Sequence, residues 1–272
     1  MKVNDFFKGM EIWKTALAYV TIMILLAIVS MIPGIEGCRW LDAEFYTAMS
    51  CFCMILWFAL MMSRRKVDFA EAARDFAAGT RKREMVYLAF LNIIFSMGSV
   101  LMLIGMLSLI SPTLVEKAMA EPAENINTGA SQVFNFIGAV FLAPVVEELM
   151  FRGVLLNRLK SRVNLWLAII LSSVAFGLLH AGVSAFGAVV FGIVMSVVYL
   201  KTENILTCMG VHFLNNLAAS LPRLFTTGES AGSDEVVTDA AQLVAGGTVG
   251  AVVVVITGIF LIRYVMKNRP QK

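Results

Sequence analysis

Three short runs carry the side chains able to do acid–base chemistry: Glu147-Glu148-Leu-Met-Phe-Arg152, Phe176-Gly-Leu-Leu-His180 and His212-Phe-Leu-Asn-Asn216. Each lies in an apolar stretch, and together they hold both histidines of the chain. Ionisable groups are costly in an apolar phase, so within membrane segments they are functional candidates and each needs a partner. Residues i and i+4 share a helix face, which pairs Glu148 with Arg152, Phe176 with His180 and His212 with Asn216. Glu147 is turned ~100° from Glu148, so Glu148 meets Arg152 while Glu147 is free to meet His180 on another helix. A carboxylate and an imidazole around one water form a general base. His212 and Asn216 then supply donors for an oxyanion, where hydrolytic sites gain much of their rate. Phe176 walls the site or touches an apolar substrate side chain. Asn215 is a second candidate for the site-facing amide, but the i+4 spacing favours Asn216.

The elements that position these groups are membrane helices. Hydrophobic residues make up 59% of the 272, charged residues 15%, and the mean hydropathy is +0.80. A soluble domain would be nearer a quarter charged, and a net charge of +3, scattered along the chain, gives no footprint for nucleic acid. A helix needs ~20 apolar residues to span the hydrocarbon core. That rule predicts eight spans, at about 13–32, 44–62, 85–110, 133–159, 164–181, 185–200, 204–221 and 243–264, the first closed by Pro33-Gly34. Lys and Arg collect in alternate loops (Arg64 to Arg83, Arg158 to Arg162, Lys201) and at both termini, while the opposite loops hold only Arg39, Lys117 and Arg223 among many acids. The positive-inside rule places both termini in the cytoplasm. The N-terminal apolar run is too long for a signal peptide and reads as an uncleaved span.

Other features are less specific. Of Cys38, Cys51, Cys53 and Cys208, three fall in apolar stretches, which argues for buried apolar side chains over disulfides or a thiolate zinc site. Segment 67–80 has helical apolar spacing and reads as a surface-lying or short solvated helix. The loop at 224–242 is rich in Gly, Ser, Thr and acids, and reads as extracytoplasmic. Gly246-x-x-x-Gly250 permits close helix packing. No internal repeat is evident, which counts against a transporter built from paired halves. Helical rise puts Glu147 ~18 Å, His212 ~10 to 15 Å and His180 ~24 Å from the cytoplasmic interface, so tilt or a late start of the fifth span must bring His180 back toward its partners.

In order and spacing, the three runs resemble the motifs of the CAAX-protease and bacteriocin-processing family of intramembrane proteases, which includes the type II CAAX prenyl endopeptidase. The family pattern is Glu-Glu-x-x-x-Arg, Phe-x-x-x-His and His-x-x-x-Asn, here Glu147, Glu148 and Arg152; Phe176 and His180; His212 and Asn216, with Gly153 after the Arg. The resemblance covers about 133–221. It implies that Glu147 and His180 activate the water, that His212 and Asn216 stabilise the tetrahedral intermediate, and that Glu148 and Arg152 organise the site. It also implies an all-helical bundle with a polar cavity open to the cytoplasm.

The expectation is therefore an all-α integral membrane protein of about eight transmembrane helices. It forms a single membrane domain over 1–272, with a catalytic core at 133–221 and peripheral spans and loops at 1–132 and 222–272. It would be an intramembrane endopeptidase of a cell membrane, cutting membrane-associated peptides or protein tails near the cytoplasmic face. The short loops and compact chain point to a bacterial protein. No cofactor is expected. Zinc is the chemical rival, since two His and a Glu form a known ligand set, but His-Glu-x-x-His is absent. A non-catalytic immunity or peptide-binding protein is the alternative function, and a proton-relay channel or transporter the third.

Overall fold

The computed structural model describes residues 1–32, 41–79, 81–119, 129–180, 182–225 and 240–270. Pro33-Gly34, Cys38 and the acidic stretch 226–239 lie outside them. The described residues are all-α. A short α1 (Val3–Lys8) leads into α2 (Ile12–Ser30) and α3 (Ala43–Arg64); α4 (Ala70–Ala77) precedes α5 (Lys82–Ile110) and α6 (Pro112–Met119). One continuous helix, α7 (Gly129–Leu159), is followed by α8 (Leu165–Gly177), α9 (Ala185–Thr202), α10 (Ile205–Phe225) and α11 (Ala240–Lys267). Six of these, α2, α3, α5, α7, α9 with the turn before it, and α11, are long and apolar enough to cross a membrane, and α8 and α10 are shorter apolar helices. Most of the outer face of α2, from Leu17 to Val29, is exposed hydrocarbon, the pattern of a helix whose solvent is lipid.

The basic segments meet at one end of the bundle. Lys2 pairs with Glu71 at 3.0 Å, Asn4 donates to the Glu203 carbonyl at 2.8 Å, and Arg158 donates to the Met10 carbonyl. Lys201 and Tyr264 both reach Glu84 at 2.5 Å. At the other end Asn135 donates to Glu44 at 2.7 Å, and Ser131 to Asp42, tying α7 to the start of α3. The alternation of loop charge is thus a spatial separation. Segment 70–77 is the short helix expected there; it docks on α10 through Asn204, whose amide donates to the Ala72 carbonyl at 2.8 Å.

Two local features differ from expectation. Gly246 meets nothing, whereas a Cβ on Gly247 would sit 2.7 Å from Gly105 Cα and one on Gly250 2.6 Å from the Gly98 carbonyl. The close approach joins α11 to α5 within the chain. Secondly, α7 is not α-helical throughout: Gly138–Leu142 and Leu149–Leu156 are π-helical. Pro144 has no N–H to give the carbonyl four residues back, and the first wide turn lies just ahead of it. The second carries Arg152. Such widened turns recur at functional sites.

Candidate active site

Helix α7 supplies the acids and the guanidinium. Arg152 is 1% exposed and Glu148 fully buried, and Arg152 Nη1 donates to Glu148 Oε1 at 3.0 Å across one turn, as i+4 spacing requires. Nη2 reaches the Gly192 carbonyl of α9 at 3.3 Å, and the guanidinium lies 4.6 Å from the Phe176 ring centre. Arg152 is therefore held by three elements. Among the described residues its Nε and Glu148 Oε2 are buried without hydrogen-bond partners.

His212, on α10, joins this cluster. Its Nδ1 is 2.9 Å from Glu148 Oε1, and its Nε2 is 3.7 Å from Glu147 Oε2. A carboxylate only accepts, so the Glu148 contact places a proton on Nδ1. The arrangement runs Arg152–Glu148–His212–Glu147, two acids around one imidazole. Glu147 differs from Glu148 as the helical phase requires: it is a quarter exposed, and it lies near enough to Tyr19 and Cys51 to act on both electrostatically.

His180 lies beyond the helix end, not within a span of 164–181 as expected. Helix α8 ends at Gly177, and His180 lies in the turn that follows, its N–H bonded to the Gly177 carbonyl at 3.0 Å. Its Nδ1 is 3.1 Å from the Phe176 carbonyl. That oxygen also only accepts, so the proton sits on Nδ1 and Nε2 is left as a base. No hydrogen bond joins Glu147 to His180 among the described residues; the imidazole beside Glu147 is that of His212. The Phe176 ring links the two histidines, with centroids 4.8 Å from His180 and 6.0 Å from His212.

Both histidines, Phe176, Asn215 and Asn216 line one cavity of about 700 Å³ between α5, α7, α8, α9 and α10. Asn216 Nδ2 donates to the Ala139 carbonyl at 2.8 Å, leaving its second N–H. Asn215 donates to Asn216 Oδ1 at 3.3 Å, which orients that amide, and its own Oδ1 is buried without a partner. Both amides face the cavity, with Asn215 behind Asn216 in the hydrogen-bond chain. Phe191, 4.8 Å from the His212 ring, and the Gly192 carbonyl complete the surroundings. Neither left a trace in the sequence, since an aromatic ring and a glycine in a hydrophobic helix carry no polar signal. Among the described residues no three His, Cys, Asp or Glu side chains are grouped to hold a metal ion.

The fold and site define an all-α membrane protein with a buried acid–histidine–arginine cluster beside a cavity. Residues 129–218, about a third of the chain, match the family described as type II CAAX prenyl endopeptidase Rce1-like. The resemblance drawn from the three motifs holds, and the matched stretch contains Glu147, Glu148, Arg152, Phe176, His180, His212 and Asn216. No curated protein and no solved structure matches the chain.

Proposed function

We propose that this protein is an intramembrane endopeptidase that hydrolyses a peptide bond of a membrane-associated peptide or protein. The observation that carries the reading is the run Arg152–Glu148–His212–Glu147, buried except at Glu147, beside a cavity lined by His212, His180 and Asn216. Glu147 takes the proton of the attacking water, with His180 Nε2 as the second basic group on that water, and gives the proton to the departing amine nitrogen as the C–N bond breaks. His212, fixed by Glu148 through Nδ1, turns Nε2 to the developing oxyanion, and the free N–H of Asn216 is the other donor. Two carboxylates and one guanidinium leave one negative charge, which an imidazolium at His212 balances. Glu148 and Arg152 position His212 and do not react. The mechanism uses no metal. The chain crosses the membrane eight times in this reading, with the basic end cytoplasmic and α8 and α10 as the two short crossings.

The test is comparative profiling of membrane peptides from cells carrying the wild type or Glu147→Ala, with both proteins inserted to the same level. The wild type should remove or generate specific peptides that the variant does not. Identical profiles across growth conditions, with a phenotype that survives Glu147→Ala, would instead identify a peptide-binding or immunity protein.

A further inference from the structure

Helix α7 changes register beside the site, and side chains hold the change in place. Three successive carbonyls of its second π-helical segment, Leu149–Leu156, accept from side chains. The Phe151 carbonyl takes the Ser172 hydroxyl of α8 at 3.3 Å. The Arg152 and Gly153 carbonyls take the Asn157 amide at 3.1 and 2.7 Å. These two lie five and four residues before Asn157, the π and the α spacing. One amide therefore grips the chain where the two registers meet. Widened turns are rare and short, so this one needs such a grip to persist.

Asn157 is itself fixed. It is 3% exposed, and both carbonyls only accept, so Nδ2 and not Oδ1 must face them. Nδ2 also donates to Tyr199 Oη of α9 at 2.9 Å. Tyr199 donates in turn to Asn4 Oδ1 of α1 at 3.0 Å, and the Asn4 amide to the Glu203 carbonyl at 2.8 Å. Every donor in this run points the same way. From the same α1, Phe7 packs on Gly153 so tightly that a Cβ there would sit 2.6 Å from the ring. Among the described residues Asn157 Oδ1 is buried with no hydrogen-bond partner. An apolar side chain would leave no such orphan. Packing alone does not explain an amide here; its hold on the two carbonyls does.

The gripped segment carries Arg152, whose guanidinium shares Glu148 Oε1 with His212 Nδ1 at 3.0 and 2.9 Å. A return to the α register would turn Arg152 about the helix axis relative to Glu148 and change that sharing. We propose that Asn157 is a positioning residue of the site. By holding the carbonyls of Arg152 and Gly153 it keeps α7 in the register that aims Arg152 at Glu148, and so fixes how Glu148 meets His212. Tyr199 and Asn4 keep Asn157 in place. The effect on turnover rests on the endopeptidase reading; the effect on His212 does not.

The chain has only two imidazoles, and both are read at once by nuclear magnetic resonance of full-length protein labelled with ¹⁵N-histidine in micelles. Asn157→Leu removes the grip and keeps the bulk. The ring nitrogen resonances of His212 should shift, while those of His180, held by the Phe176 carbonyl on another helix, should stay. Turnover should fall about 10²-fold at nearly constant KM, since Asn157 does not line the cavity. Tyr199→Phe removes only the anchor of Asn157 and should shift His212 in the same sense by less. An unshifted His212 in folded Asn157→Leu, or equal shifts at both histidines, overturns the proposal. Where Asn157→Leu does not fold, Tyr199→Phe decides by the same criterion. A His212 shift in a protein without proteolysis in any assay would remove the enzymatic reading and leave the positioning role standing.

Discussion

Replacing Arg152 by Met keeps the length of the side chain and removes its charge. It leaves Glu148 fully buried, its Oε2 already without a partner and its Oε1 reduced to one bond, from His212. An uncompensated buried charge of this kind costs about 3–5 kcal/mol. The lost bond to the Gly192 carbonyl and the lost guanidinium over Phe176 contribute ~1 kcal/mol each, the smaller part. The double variant Arg152→Met/Glu148→Leu removes the stranded charge; beyond those two smaller losses, which it shares with the single variant, it leaves the unpaired Nδ1–H of His212, about 1–3 kcal/mol. It should therefore be more stable than Arg152→Met alone. Reversible unfolding in mixed micelles, followed by tryptophan fluorescence, gives both values. If Arg152→Met lies within ~1 kcal/mol of the wild type, or if the double variant is no more stable than the single, the charge argument fails. Both variants should lack activity, because His212 is positioned through Glu148.

Three further outcomes follow from the same structure. Glu147→Gln should cut turnover about 10²- to 10⁴-fold and cost less stability than Arg152→Met, since Glu147 is a quarter exposed and its pair with His212 is long at 3.7 Å; kinetics alongside thermal melts would separate the two. Gly153→Ala forces the Phe7 ring aside, and the overpacking costs about 1–3 kcal/mol, more than the ~1 kcal/mol of helix propensity it gains. Adding Phe7→Leu should recover part of that loss of melting temperature. Asp42 has a pH signature: burial acts to raise its carboxyl pKa, but hydrogen bonds from Ser131 and the Phe45 N–H outweigh it and hold it below the ordinary value of 3.8. A lowered folded pKa means stability that is full above the unfolded value and lost as pH falls through the folded one. Asp42→Asn should therefore flatten the stability profile below about pH 4 and leave neutral stability nearly unchanged, because Asn also caps a helix.

What the sequence revealed depended on how local the signal was. The Glu148–Arg152 pair and the different facing of Glu147 follow from one helix's own period, and both are present. Helix positions were legible in hydropathy, but six and not eight of the described helices are long and apolar enough to span; in α8, Leu178 and Leu179 prolong the apolar run past the real helix end at Gly177. The partner of Glu147 was not legible. Its choice of His212 depends on how α7 and α10 are set against each other and on the π-helical turns that widen α7 beside the site, and a binary pattern encodes neither. Helix α1 was missed because a six-residue element gives too short a window for periodicity, yet its Phe7 packs on Gly153, next to Arg152.

The central claim is that Glu147 delivers water to a peptide bond beside His212. Purified protein in liposomes, incubated in ¹⁸O-water with a peptide that the profiling shows to be consumed, tests it directly by mass spectrometry. The wild type should place one ¹⁸O in the new carboxyl terminus, and Glu147→Gln should form that product at least about 10²-fold more slowly. Cleavage that persists at the wild-type rate in Glu147→Gln, or wild-type product without ¹⁸O, would contradict the mechanism.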